Sequence, residues 1–300
     1  RSSDVCSSDL VQAVADFQKQ TVQWFPGHMA KTRRQIKEML PQVDGVVEIV
    51  DARIPMSSAN PELDELVSRK PRIVLLNKCD VADPAATNLW LDYFKKQGKY
   101  AIAVDCRTGK GLSAFMPAVK KALAKTIEKN SSRGMSGKAL RLMVVGIPNT
   151  GKSSFINRMA GKSRAKVADK AGVTRQNQWF AVGNGIELLD TPGVLWPKFD
   201  DPEVGDKLAF IGSVKDEVTD IETLSCRLLS SLAKTRPEAI ENRYGFCPNE
   251  NMQGWEILEE IGRKRGFLIK GGEIDYERAA VIVADEFRGG KLGRITLELP

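Results

Sequence analysis

The sequence predicts an α/β protein in which a six-stranded, mostly parallel sheet is followed by a smaller, all-α C-terminal region. Three observations support this fold class. From Gly45 onward, short β-branched runs alternate with helical patterns, as in a parallel sheet covered by helices on both faces. A glycine-rich motif of the phosphate-binding type, 146–153, lies between an apolar run and a helical pattern. After Thr219, helical spacing dominates and no strand pattern is obvious.

Each element follows from local signals. Strands are predicted over 45–50, 72–77, 101–105, 141–146, 178–182 and 186–190. Asn60, Pro61 and Glu62 are typical of a helix start, supplying the cap, the first-turn proline and the first-turn acid of a helix that runs to about Arg69. Further helices are predicted over 84–97, 112–128, 152–159, 221–232, 251–263 and 275–287.

These patterns divide the chain into three parts. Residues 21–214 are predicted to form the sheet domain and residues 215–300 a helical domain, and a polar, glycine-rich link over 130–138 joins the two halves of the sheet. Residues 1–20 are an extension in which Ser-Ser-Asp occurs twice and no apolar signal-peptide core is present. We interpret this extension as partly an artefact of cloning.

Composition excludes several classes of protein. A chain of 300 residues with 42% hydrophobic residues can bury a large core, which excludes a disordered chain. No apolar run approaches the roughly 20 residues of a membrane helix, so no membrane contact is expected. The five scattered cysteines form no C-x-x-C pair, which excludes a disulfide framework and favours a cytoplasmic location. The net charge of +7 is compatible with a nucleic-acid partner.

The strongest motif is Gly146-Ile-Pro-Asn-Thr-Gly-Lys-Ser153, which satisfies G-x-x-x-x-G-K-S/T. Its backbone N–H groups are expected to surround a phosphate, Lys152 to place charge on the β- and γ-phosphate oxygens, and Ser153 to offer a hydroxyl to Mg²⁺. Lys152 is thereby also a catalytic candidate. The residues of this loop that are expected to bind the nucleotide are Asn149, Thr150, Gly151, Lys152, Ser153 and Ser154.

A second motif, Asp190-Thr-Pro-Gly193, ends the last predicted strand. Asp190 is expected to hold Mg²⁺ through water, and the N–H of Gly193 to contact a γ-phosphate. Thr174, between the two motifs, is a candidate for a second Mg²⁺ ligand supplied by a mobile switch segment.

The base-reading motif N-K-x-D occurs at the end of the second predicted strand, as Asn77, Lys78, Cys79 and Asp80. Asp80 can accept hydrogen bonds from the ring N–H and the amine of guanine, whereas adenine would leave this carboxylate unpaired. Lys78 can lay its methylene stem across the base. After the next strand, Asp105 and Cys106 are expected to complete the guanine pocket with backbone groups.

The order of the motifs is reversed relative to an ordinary GTPase, because the base reader at 77 precedes the phosphate loop at 146. A circularly permuted sheet assembles the same pocket, and such a permutation is tolerated where chain ends lie in exposed loops. The sequence therefore predicts a circularly permuted phosphate-loop GTPase domain that binds GTP and GDP.

Together the motifs resemble the circularly permuted GTPases, and most closely the bacterial ribosome biogenesis GTPase A family, over about residues 21–300. The resemblance also depends on Trp24-Phe-Pro-Gly-His-Met-Ala-Lys31, Asp51-Ala-Arg-Ile-Pro-Met-Ser-Ser58 and Asp190-Thr-Pro-Gly-Val-Leu-Trp-Pro197. It implies a late assembly factor for the large ribosomal subunit that binds ribosomal RNA and proteins, hydrolyses GTP as a release signal, and is a monomer off the ribosome. Asp105-Cys106 departs from the Ser or Ala usual near the base pocket.

Two residue roles follow from the resemblance. Val194 stands where Ras-like enzymes carry a water-positioning glutamine, so another group must orient the attacking water. His28, the only histidine, matches the histidine thought to enter the site in this family, although a structural role remains the alternative. Asn149 resembles the asparagine that holds K⁺ in potassium-activated GTPases, with a simple turn-forming role as the alternative.

Basic residues concentrate in three clusters, which are candidates for contacts with RNA phosphates. They are Lys31, Arg33, Arg34 and Lys37; then Lys120, Lys121, Lys125, Lys129, Arg133, Lys138 and Arg141; then Arg158, Lys162, Arg164, Lys166, Lys170 and Arg175. We expect these clusters to flank the nucleotide site.

Two other functions remain open on the sequence. Val194 is also compatible with a nucleotide-gated RNA-binding scaffold that hydrolyses GTP negligibly. A small-molecule kinase or ATPase could use the same phosphate loop, but Asp80 argues against it.

Overall fold

The computed structural model describes residues 26–67, 69–161, 178–193, 195, 201–214, 220–249 and 251–300, with side chains from residue 31 onward. Within these ranges no helix is both long enough and apolar enough to cross a membrane. The predicted extension, residues 1–20, lies outside them.

Between residues 45 and 190, the described chain contains a sheet of six strands. They are β1 (Gly45–Asp51), β2 (Arg72–Asn77), β3 (Tyr100–Ala103), β4 (Leu140–Val145), β5 (Gln178–Ala181) and β6 (Ile186–Asp190). The spatial order is β3-β2-β1-β4-β6-β5, and only β5, which pairs with β6, is antiparallel to its neighbour. The predicted fold class is confirmed.

The two halves of the sheet meet where β1 lies parallel to β4, with Gly45 opposite Leu142. From this junction the chain proceeds outward to β2 and β3 on one side and to β6 and β5 on the other. A crevice forms at the carboxyl ends of the strands where the order changes direction, and ligands of open α/β sheets bind in such crevices. The N-K-x-D motif follows β2 and the phosphate loop follows β4, so both motifs end at this crevice.

Helices surround the sheet and continue beyond it. They are α1 (Pro26–Met39), α2 (Pro61–Val67), α3 (Pro84–Lys96), α4 (Phe115–Ala122), α5 (Ala124–Ser132), α6 (Lys152–Ala160), α7 (Pro202–Phe210), α8 (Ile221–Thr235), α9 (Pro237–Tyr244), α10 (Gly254–Arg265) and α11 (Tyr276–Arg288). Aspartates cap several of them: Asp83 accepts hydrogen bonds from two N–H groups of α3, and Asp220 does the same for α8.

The helices differ from the sequence prediction in two respects. The single helix predicted over 112–128 is a short 3-10 turn followed by α4 and α5, and the break falls at Leu123. Leu123 is 1% exposed and packs beside Gly45, so burial against the sheet overrides helical continuity at this residue. In addition, α1, α7 and α9 were not predicted, although each begins with a proline at its first turn.

The C-terminal helices share one hydrophobic cluster centred on α8, which packs against α7, α9, α10 and α11. Leu228, Leu229 and Leu232 of α8 are at most 1% exposed. The same cluster contains Leu208 of α7 and Ile147 of the phosphate loop, so the helical region packs directly against this loop. The domain boundary after residue 214 stays a prediction.

Candidate functional site

The phosphate loop joins β4 to α6 in a conformation that requires glycine at position 151. Gly151 has φ of +98°, and a Cβ at this position would lie 2.2 Å from Asn77 Nδ2. Asn149 also has a positive φ, +60°, and its Nδ2 donates a 2.6 Å hydrogen bond to the carbonyl of Gly212. The first turn of α6, with its unpaired N–H groups, opens onto this loop and suits a phosphate.

Lys152 is the buried cation of the loop, with 7% exposure. Its Nζ donates a 2.7 Å hydrogen bond to the carbonyl of Ile147. Removal of the ammonium from water lowers the pKa of Lys152 to about 8, although the charge of Asp190 opposes this shift. A phosphate dianion would restore the charge that burial disfavours.

The Asp190-to-Gly193 segment follows β6 and runs beside the phosphate loop. Asp190 is opposite Val144 of β4 and is 2% exposed. Gly193 passes so close that a Cβ there would lie 2.8 Å from Pro148 N and 2.9 Å from Lys152 Nζ. The absence of a side chain at this position therefore keeps the approach to Lys152 open.

The residues beside the loop fit a magnesium ion. The Asp190 carboxylate and the Ser153 hydroxyl are the hard oxygen ligands that Mg²⁺ prefers, and both flank the phosphate loop. No cluster of three or more His, Cys, Asp or Glu side chains suited to a metal exists in the described ranges. Such an ion would therefore take most of its ligands from phosphate and water.

Asn77 links the base-reading loop, residues 77–83, to the phosphate loop. Its Nδ2 donates to the carbonyl of Thr150 at 2.7 Å, and its Oδ1 accepts from the N–H of Cys106 at 2.9 Å. The side chain is 3% exposed. Three segments that are far apart in sequence therefore meet at one amide.

Lys78 and Asp80 lie in the base-reading loop, and their contact with a base stays a prediction. Lys78 has a positive φ of +61°, and its Nζ lies 3.1 Å from Asp51 Oδ2. Burial lowers the pKa of Lys78, although Asp51 opposes the shift. The half-buried Asp80 carboxylate lies 3.4 Å from the exposed Arg107 guanidinium, and a base could compete with that guanidinium for it.

Asp105 and Cys106 make hydrogen bonds that order the turn after β3. The Asp105 carboxylate accepts hydrogen bonds from Arg107 N and from Thr108 N and Oγ1, and these bonds outweigh burial and lower its pKa. The Cys106 N–H is already donated to Asn77, and burial raises the pKa of its thiol to about 12. Their contact with a base stays a prediction. Cys79, in the base-reading loop, is buried beside this pocket.

Three predicted residues cannot be placed at the site. His28 lies in the first turn of α1, but its side chain is outside the described part of the chain, and Thr174 and Val194 lie outside it altogether.

Sequence reasoning missed Asp51 and Arg53 as members of the site. Arg53 Nε and Nη2 bind the two oxygens of Asp51 at 2.9 and 2.8 Å, and both residues are at most 1% exposed. Burial disfavours the charged form of Asp51, but Arg53 and Lys78 prevail and hold its pKa well below the ordinary value. The motif 51–58 could have indicated that these residues matter. The ion pair between Asp51 and Lys78, however, is not apparent from their spacing in the sequence.

Comparison with known proteins identifies the family. A family model described as a 50S ribosome-binding GTPase matches residues 141–239. The chain is 47% identical to ribosome biogenesis GTPase A of Priestia megaterium over 283 residues. This match covers 93% of this chain and 97% of the relative. The chain belongs to the ribosome biogenesis GTPase A family. It is also 37% identical to the Thermotoga maritima member, over 92% of this chain and 94% of that one.

Solved structures agree with this family assignment. The GDP-bound structure of YlqF matches with a TM-score of 0.62 and 34% identity, covering 89% of this chain and 99% of that one. GNP-bound YlqF from T. maritima matches with a TM-score of 0.61 and 33% identity, covering 90% and 98%. The predicted resemblance, guanine-nucleotide binding and GTPase activity are confirmed, and this member of the family takes part in assembly of the large subunit.

The affinity of this GTPase for GDP is expected to fall as the pH rises above about 8. Bound phosphate stabilises charged Lys152 and raises its pKa. Above the pKa of the ligand-free protein, about 8, the lysine is largely neutral, so binding must take up a proton and the affinity falls. Below that value the lysine is charged in both the free and the bound state, and the affinity does not depend on this group. Calorimetric titration between about pH 6.5 and 9.5, in buffers of different ionisation enthalpy, measures the affinity and the proton uptake. Constant affinity without proton uptake would contradict this role for Lys152.

Proposed function

We propose that this GTPase acts late in maturation of the large (50S) subunit, binding ribosomal RNA and proteins of the precursor in its GTP state and leaving after hydrolysis. It acts in the cytoplasm and is a monomer off the particle. The observation that carries the proposal is that the segment after α7, which packs in the same hydrophobic cluster as the C-terminal helices, holds the phosphate loop: Asn149 donates to Gly212 O at 2.6 Å, and Ser213 Oγ to Pro148 O at 2.8 Å. A nucleotide change at this loop can therefore move the helical surface.

The distribution of basic residues supports RNA as part of the partner. It differs from the expectation that all the basic clusters flank the nucleotide site. A cleft of about 570 Å³ opens at the amino-terminal edge of β2 and β3. Its lining includes one acid and five cations, namely Asp64, Lys70, Arg72, Lys99, Lys121 and Lys125. Lys121 and Lys125 belong to the cluster around the link, so part of that cluster lies at the edge opposite the nucleotide, not beside it. Arg72 and Lys99 already pair with Asp64, so the exposed Lys121 and Lys125 are the cations of this edge that suit the phosphates of an RNA backbone.

The chain's own groups divide the work on GTP. Lys152 neutralises the β- and γ-phosphates, the N–H of Gly193 contacts the γ-phosphate, and Asp80 reads the base. Ser153 and Thr174 directly, and Asp190 through water, would hold Mg²⁺, which would supply charge neutralisation. His28, at the start of α1, orients the attacking water in place of a glutamine.

Exchange of Asp80 for Asn should change the preferred base from guanine to xanthine. The carboxylate of Asp80 pairs with two donors of guanine, whereas an amide offers one donor and one acceptor, which match the 2-oxo group and ring N–H of xanthine. We expect the Asp80→Asn variant to lose about a hundredfold or more in GDP affinity and to gain affinity for xanthosine diphosphate. Competition titrations measure both, with Asp92→Asn on the exposed face of α3 as control. Retention of GDP preference would contradict the role of Asp80.

His28→Ala is expected to bind GTP normally and to lose the stimulation of turnover by large subunits, because the imidazole acts only on the attacking water. Phosphate release with and without isolated large subunits measures this effect. Glu38→Ala, an exposed change on the same helix, is the control and should be stimulated like wild type. Full stimulation of His28→Ala would refute the catalytic role. If large subunits fail to stimulate even the wild-type protein, the scaffold function is favoured instead.

Turnover is expected to be faster in K⁺ than in Na⁺ at equal ionic strength. The amide nitrogen of Asn149 donates to Gly212 O, so the amide oxygen would be the group that binds K⁺. The bound K⁺ would supply the positive charge that an arginine finger supplies in other GTPases. We expect a difference of about tenfold or more for wild type and little difference for Asn149→Ala. Equal rates for the wild-type protein in the two salts would contradict a potassium site.

A further inference from the structure

The C-terminal segment, residues 290–298, lies along the base-reading loop. Arg294 donates two hydrogen bonds to backbone carbonyls, from Nη2 to Cys79 O at 2.9 Å and from Nε to Ala82 O at 3.0 Å. The N–H of Ile295 donates to Val81 O at 3.0 Å, and Thr296 Oγ1 accepts from the N–H of Asp83 at 3.1 Å. The loop that carries Lys78 and Asp80 is therefore supported along its backbone by the end of the chain.

The C-terminal segment and the base-reading loop are also in close contact at Gly290, where the segment begins. A Cβ at Gly290 would lie 2.4 Å from Val81 Cγ1, and Gly290 has φ of +74°. The backbone of the C-terminal segment at Gly290 therefore packs directly on the side chain of Val81 in the base-reading loop.

A second connection reaches the loop through buried charges. Lys78 pairs with Asp51, and Asp51 pairs with Arg53. Arg53 Nη1 donates to the carbonyls of Phe287 and Arg288 at the end of α11, at 3.4 and 3.3 Å, and its guanidinium lies 5.3 Å from the centre of the Phe287 ring. The positive φ of Lys78 is the kind of local strain that persists only where surrounding contacts impose it.

The end of α11 is in turn joined to the support of the phosphate loop. Arg288 donates from Nε to Phe210 O at 3.1 Å and from Nη2 to Ala209 O at 3.0 Å. Gly212 and Ser213, two and three residues after Phe210, hold the phosphate loop. The helical region therefore contacts both halves of the nucleotide site and connects them through Arg288.

We infer that the C-terminal segment is a structural part of the guanine site, with Arg294, Thr296 and Arg53 as positioning residues that hold the base-reading loop. Any partner that changes the docking of this segment changes guanine affinity, and by reciprocity the nucleotide changes the affinity of that partner by the same factor. The inference rests on the proposed assignment of Lys78 and Asp80 as base readers.

The variants Arg294→Met and Thr296→Val test it, with Lys291→Met as matched control. Lys291 is an exposed cation of the same segment whose side chain makes no hydrogen bond with the described residues. The readouts are the release rate of a fluorescent GDP analogue and the ratio of affinities for GDP and inosine diphosphate, which lacks the amine that Asp80 reads. If the segment only stabilised the fold, its loss would not change this ratio of affinities.

We expect Arg294→Met to release GDP about tenfold faster and to lower the GDP-to-inosine preference, because the two carbonyls that it holds are freed. Thr296→Val should act in the same direction, and Lys291→Met should match wild type. Wild-type release and preference in Arg294→Met would overturn the inference. If Arg294→Met melts without cooperativity, Thr296→Val decides by the same two readouts.

The parallel measurement on Asp80→Asn separates the two proposals. If Asp80→Asn loses guanine preference while Arg294→Met and Thr296→Val do not, only the role of the C-terminal segment is wrong. If Asp80→Asn itself keeps guanine preference, the assignment of the base reader is wrong and the inference falls with it.

Discussion

The amide of Asn77 is the interaction on which the proposed nucleotide site depends. It joins Thr150 of the phosphate loop to Cys106 of the pocket at 2.7 and 2.9 Å, and it fills the space that a side chain at position 151 would need. Because the amide is buried, loss of it would leave a carbonyl and an N–H unsatisfied, at about 1–3 kcal/mol each. The permuted order of the motifs has no consequence for the site, because the site is held together in space and not along the chain.

The permutation does have a consequence for the helical region. Since the chain continues from β6 toward α7 and α8, the helices come to lie against the crevice, and their cluster includes Ile54 after β1 and Ile147 of the phosphate loop. Buried ion pairs are weak sources of stability but fix geometry, and the Asp51–Arg53 pair links β1 to α11 in this way. The phosphate loop, the end of β1 and the C-terminal helices are therefore parts of one packed structure.

Sequence alone could predict the strands and the loops that follow them. Strands such as β2 are continuous apolar runs because both faces of the sheet are buried, and the motifs mark where they end. The helix α7 could have been predicted too, since Asp201-Pro202-Glu203 has the same cap, proline and acid as Asn60-Pro61-Glu62. The contacts of Arg53 with Phe287 and of Arg294 with Cys79 could not, because pairing across more than 200 residues depends on tertiary packing.

The dissociation constant of GDP from Asn77→Ala tests the central claim most directly. Asn130→Ala, in α5, is the control because it lies away from the crevice. If Asn77 joins the base-reading and phosphate loops, GDP affinity falls about tenfold or more and the preference for GDP over ADP diminishes, while the control matches wild type. Unchanged GDP affinity and unchanged preference in a folded Asn77→Ala protein would contradict the account.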